Sequence, residues 1–157
     1  MKRKSETNPP IPDLAIVREV IRLADNYAAA RNARNAAHPE RRVISGSSQL
    51  EQEPERWELV EYLRPLSPEC LAGLYALYRV GERRSGTPRS YANHYHSVYS
   101  LAIQPHHRES AAADLAAKAP LADWLRRGIQ HLGLDAGPAG TRGPGDTTLA
   151  VPSRIRP

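Results

Sequence analysis

The chain has one cysteine, one methionine and no phenylalanine among its 157 residues, and aromatic residues make up only 6%. A single cysteine excludes an internal disulfide and fits a reducing compartment. With no phenylalanine, the core must be built on Leu, Val, Ile and Ala. No run approaches the roughly 18 uninterrupted apolar residues of a membrane-spanning helix. The basic start, MKRKSETNPP, is followed by no apolar segment of signal-peptide type. These absences point to a soluble, cytoplasmic protein.

Catalytic and cofactor signatures are missing too. There is no Gly-x-Ser-x-Gly elbow. Gly81 and Gly86 are separated by charged residues and lack the lysine of a phosphate-binding loop. Glu55, Glu58 and Glu61 recur every three residues, the pattern of a solvated helix face rather than an acid/base pair. His94 and His96 lie two apart, so a helix would point them in different directions. His106 and His107 are adjacent, with only Glu109 close by. Zinc needs three or four convergent ligands, and no such set is legible. No metal, cofactor or catalytic residue is therefore assigned.

Fourteen prolines and ten glycines mark where packing should stop. Residues 1–12 read as a disordered basic tail ending in Asn8-Pro9-Pro10-Ile11-Pro12. From Asp135 the sequence becomes GPAGTRGPGDTT, the composition of a flexible Gly/Pro-rich tail. Residues 13–134 are left as one helical domain. Nothing reads as a strand, and the pattern predicts an all-α fold, a compact bundle of about five helices.

The centre of that bundle is Ser67 to Gly81, SPECLAGLYALYRVG. Ser67 can cap the helix, Pro68 suits its first position, and Gly81 can supply a left-handed stop. Its apolar residues cover most of the circumference, so it should be surrounded. Cys70 in this setting reads as a small buried hydrophobe.

A first helix is expected over Asp13 to Ala37, with two adjacent apolar seams up to Tyr27 and little to bury beyond it. His38-Pro39 breaks it, and residues 38–53 read as a polar loop. A second helix starts near Pro54 with Trp57, Val60 and Leu63 inward. The short Pro65-Leu66 link should make it an antiparallel neighbour of the central helix. A fourth helix opens at Thr87-Pro88 and carries a stripe of Tyr91, Tyr95, Val98 or Tyr99, and Ala102, read as a core seam rather than a stacking platform for bases, its tyrosine rings half-buried with hydroxyls reaching water. Residues 106–118 are Ala-rich and helical, anchored by Leu115. In the final helix Leu121, Trp124, Leu125, Gly128, Ile129 and Leu132 share one face, Gly128 allows close approach, and Gly133 closes the helix.

Two blocks resemble a family of small, all-helical bacterial proteins known as a domain of unknown function. The first is Leu74-Tyr75-Ala76-Leu77-Tyr78-Arg79-Val80-Gly81, similar to that family's Leu-x-Ala-Leu-x-x-x-Gly helix end. The second runs from Ala119 to Ile129, followed by Leu132-Gly133, and is similar to its Pro-Leu-Leu-Ala-Asp-Tyr-Leu final helix. The resemblance spans Leu14 to Leu134, and its specific part is limited to these blocks. Where the family continues with Arg-Gly-Asp, this chain has Glu82-Arg83-Arg84. The aromatic that usually precedes the final proline is replaced by Asp114 or Leu115. The resemblance implies an all-helical fold and a bacterial setting, and no activity.

Net charge is +5, unevenly distributed. Residues 83–108 hold Arg83, Arg84, Arg89 and Arg108 with no acid, whereas residues 54–82 hold three arginines against five glutamates. Two functional classes follow. One is a non-enzymatic interaction or accessory module that binds a protein partner or itself, with Trp57, Trp124 and the tyrosines as candidate anchors. The other is nucleic-acid binding through Arg-rich loops, with Arg31, Arg34, Arg83, Arg84 and Arg89 as contact residues. No helix-turn-helix or ribonucleoprotein signature accompanies those arginines.

Overall fold

The structure, a computed structural model, describes residues 8–38 and 53–135. The expected loop over 38–53 and the tail from Asp135 onward therefore lie almost wholly outside the described residues. Among the described residues the fold is all-α, as the pattern predicts, with no strand. Its elements are α1 (Leu14–Ala37), α2 (Pro54–Leu63), α3 (Pro68–Gly81), α4 (Pro88–Ala102), a 3-10 turn (Pro105–His107), the short α5 (Ala111–Ala116) and α6 (Leu121–His131).

Helix starts follow local chemistry. The Asp13 carboxylate accepts from the Ala15 amide at 2.8 Å, and the Ser67 hydroxyl accepts from Cys70 at 3.2 Å. Thr87 and Ser90 form a reciprocal capping box, each side chain accepting from the other's backbone N–H. At the other end of the chain, Gly133 (φ 66°) lets the Leu134 N–H reach the Ile129 carbonyl and its own N–H reach Gln130. That double bond pattern closes α6 on a left-handed residue.

α3 is the central element, packed mainly against α4 and α6 and more lightly against α5. Leu74, Ala76, Leu77 and Val80 are fully buried on it. α6 crosses α3 antiparallel, with Gly81 against the Trp124 carbonyl and Gly128 against the Leu77 carbonyl. The close approach expected of Gly128 is present. Gly81 departs from its expected role: it is the last helical residue, with no positive φ, and it is small because the α6 backbone passes over it.

α2 also departs from expectation. It packs on α1 and α5 rather than lying along α3. The turn at its end, where the Leu66 N–H bonds to Leu63, redirects the chain. Leu59, Val60 and Leu63 are buried, but Trp57 is 57% exposed. At about 100° per residue, Trp57 lies some 160° round the helix from Leu59. The Arg64 guanidinium covers it, 5.2 Å from the ring centroid.

The N-terminal boundary moves as well. Residues 8–12 pack against the domain instead of forming part of a disordered tail. Pro12 is buried beside Gly73, and the Tyr95 hydroxyl donates to the Pro10 carbonyl at 2.7 Å. Tyr91, Tyr95 and Tyr99 belong to the core, as a core seam requires, and are buried more fully than the half-buried rings expected. Burial raises the Tyr95 hydroxyl above its ordinary pKa, so it stays a neutral donor. α1 keeps its seam inside through Ala24, and from Ala28 to His38 it is largely exposed, as the pattern predicts.

Candidate functional site

A groove of about 380 Å³ lies beside α3. It exists because α3 is apolar on a side that its neighbours leave open. α4 and α5 flank that side, and α5 is too short to cover it. Leu71, Ala72 and Tyr75 from α3 meet Val98, Leu101 and Ala102 from α4 to form an apolar floor and wall. The alanines keep the floor low. Leu101 is 67% exposed at the lip. From Pro68 to Arg79 the groove follows three turns of α3, roughly 16 Å at 1.5 Å per residue.

The rim is charged and mostly of one sign. Arg79 projects from α3, Arg108 follows the 3-10 turn, and Lys118 follows α5, with Asp114 the one carboxylate lining the groove. Lys118 lies over the Tyr75 ring, 6.0 Å from its centroid, which leaves its ammonium at the groove edge. Arg79 is shared with Glu82 at 2.5 Å. Glu82 also accepts from the Tyr78 hydroxyl at 2.8 Å. Burial, with help from that hydrogen bond, pushes the Tyr78 phenol up to about 12, so it remains protonated. The Asp114 carboxylate accepts from the Ser110 hydroxyl at 2.5 Å. Among the described residues, Arg108 and Lys118 have no carboxylate partner.

The arginines singled out in the sequence fall into two groups. Arg31 and Arg34 sit on the last turns of α1. Arg31 is exposed, and Arg34 pairs with Glu55 of α2 at 2.9 Å. The second group is Arg83, Arg84 and Arg89, all exposed, in the α3–α4 turn and the first turn of α4. That turn is held in place. The His131 ring lies 3.2 Å from the Arg83 carbonyl and stacks on Tyr91, with ring centroids 4.1 Å apart. Among the described residues no hydrogen bond or ion pair joins the two groups. Two further arginines that follow α1 in the sequence, Arg41 and Arg42, lie outside the described residues.

His106 and His107 are in tilted contact, and no group of three or more His, Cys, Asp or Glu side chains converges among the described residues. Cys70 is half-buried rather than fully buried, packed against the core. Burial pushes the Cys70 thiol up, away from the thiolate that reactivity would need.

The groove itself is not visible in the sequence, because it forms where three elements fail to cover a fourth. One local signal does mark it. Leu101 is a large apolar residue off the Tyr91–Tyr95–Tyr99 seam, with no intrahelical reason to be there. Among the described residues no helix is long and apolar enough to cross a membrane. Comparison of the chain with protein-family models, with curated proteins and with solved structures finds no match, and neither supports nor opposes the family resemblance.

Proposed function

We propose that this is a small cytoplasmic, non-enzymatic interaction module that captures a protein segment in the groove between α3, α4 and α5. The observation that carries this reading is the groove's apolar floor together with Leu101 standing exposed at its lip. A concave, mainly apolar depression with a few polar groups at its edge is the usual form of a binding site. Recognition modules commonly seat an apolar side of a partner in such a depression and let polar groups at the rim set orientation.

The test is selection from a display library of random peptides with the full chain as bait. Wild type should enrich a defined set of sequences. Leu101→Gln, a change at an exposed position that leaves the core intact, should reduce that enrichment about tenfold, the effect of losing one good apolar anchor. No enrichment, or enrichment indifferent to Leu101→Gln, contradicts the reading.

A second reading, nucleic-acid contact, is favoured by the exposure of Arg83, Arg84 and Arg89 without carboxylate partners among the described residues. Engagement of Arg34 by Glu55 weighs against a continuous basic surface. Filter binding across a salt series decides it. A steep loss of affinity with salt, eased by Arg83→Ala with Arg84→Ala, supports the reading, and a flat, weak response contradicts it.

A further inference from the structure

Resting on the groove as the docking site, we infer that its occupant is an acidic amphipathic helix of about three turns. Three features of the groove select this partner.

The first is shape. The groove runs along α3 for three helical turns, and the open slot lies between two other helices. A helix laid there presents side chains at i, i+3 or i+4, and i+7 to the floor, the spacing that matches a trough of roughly 16 Å. The second is the floor. Ala72 and Ala102 are too small to fill the space above them, so leucine-sized side chains can enter between Leu71, Val98 and Leu101.

The third is charge, which determines the sign of the partner. Arg108 and Lys118 stand on the rim without carboxylate partners among the described residues, and Arg79 is only partly neutralised by Glu82. Asp114 is the one lining acid; Ser110 donates to its carboxylate without cancelling its charge, so the three lining cations outnumber it. A partner carrying glutamates beside its apolar stripe meets complementary charge at the rim. A partner carrying lysines there meets repulsion from the same groups.

The experiment uses the full chain and two synthetic peptides of about 16 residues, long enough to cover three turns with fraying ends. Both carry the same leucine stripe; one has glutamates on the flanks of the stripe and the other lysines. Fluorescence anisotropy gives the two affinities at low and at high salt. The acidic peptide should bind about tenfold tighter at low salt, with the preference shrinking as salt screens the rim. In the double variant Arg108→Glu with Lys118→Glu, both changes outside the core and checked by circular dichroism, the preference should reverse. Leu101→Gln should weaken both peptides alike.

Equal binding of the two peptides, with Leu101→Gln weakening both, overturns the acidic partner and leaves the groove standing as a docking site. Tighter binding of the lysine peptide to wild type also overturns it. If neither peptide binds but dodecanoate does, the occupant is a small amphiphile and the helix is wrong. If neither peptide nor dodecanoate binds, the inference and the groove reading fail together.

Discussion

At the scale of single residues, the tightest constraint is the contact between α3 and α6. Gly81 and Gly128 each face a backbone carbonyl of the opposing helix, Trp124 and Leu77 respectively. Neither carbonyl can withdraw without moving a helix. Gly128→Ala should therefore destabilise by about 1–3 kcal/mol, the usual cost of forcing extra volume into a packed interface. Gly81→Ala should cost at least as much. Chemical denaturation of the two variants checks this, and a loss below half a kilocalorie in both would mean that the helices are not so close. A second residue-scale prediction concerns His94. Burial, with Arg83 and Arg79 nearby, lowers its pKa below the ordinary value of 6.5. The fold thus favours neutral His94. As pH falls from about 6.5 toward the folded-state pKa, the unfolded chain takes up the proton first, and stability falls with pH through that window. Imidazole titration by NMR should find His94 titrating below 6.5, and His94→Gln should flatten this part of the stability profile.

At the scale of elements, most of the architecture was legible, because helix boundaries are set by local chemistry. The starts at Asp13, Ser67 and Thr87, with proline just inside the last two, and the stop at Gly133 lie within a few residues of the positions they control. Ser67→Ala should accordingly cost about 1 kcal/mol in thermal or chemical unfolding, the usual value of a lost N-cap. The facing of helices was less legible. Trp57 falls outside because the inward arc of α2 is centred on Leu59 and Leu63, and hydrophobicity alone does not reveal which arc wins. Gly81 has two possible reasons to be glycine, conformational freedom and close approach. Only the partner helix distinguishes them. The pairing of α2 with α1 and α5 was hidden for a related reason: a short link brings two helices together at their ends and does not align their lengths.

At the scale of the whole molecule, non-local contacts define both the domain boundary and the groove. Pro12 and the Pro10 carbonyl meet Gly73 and the Tyr95 hydroxyl, residues more than sixty positions away in the sequence, so composition alone places them in a tail. Removing residues 1–12 should lower stability by about 2 kcal/mol, from the lost burial of Pro12 and the lost Tyr95 hydrogen bond. Removing only residues 1–7 should leave those contacts and their stability intact, and equal unfolding midpoints for the two truncations would refute this boundary. The groove was illegible for the same physical reason, since it is the space that α4 and α5 do not fill. In the sequence the arginines after Gly81 stand out, whereas the structure adds a concave apolar site along α3, rimmed by Arg108 and Lys118. The two surfaces make opposed forecasts for where a partner sits. The most direct test is an amide chemical-shift map of the full chain titrated with the glutamate-flanked leucine peptide. With the peptide in the groove, the largest changes fall at Ala72, Tyr75, Leu101, Ala102, Ala111 and Lys118; changes concentrated at Arg83 to Arg89, with the groove residues unmoved, would place the partner elsewhere and refute the groove as the docking site.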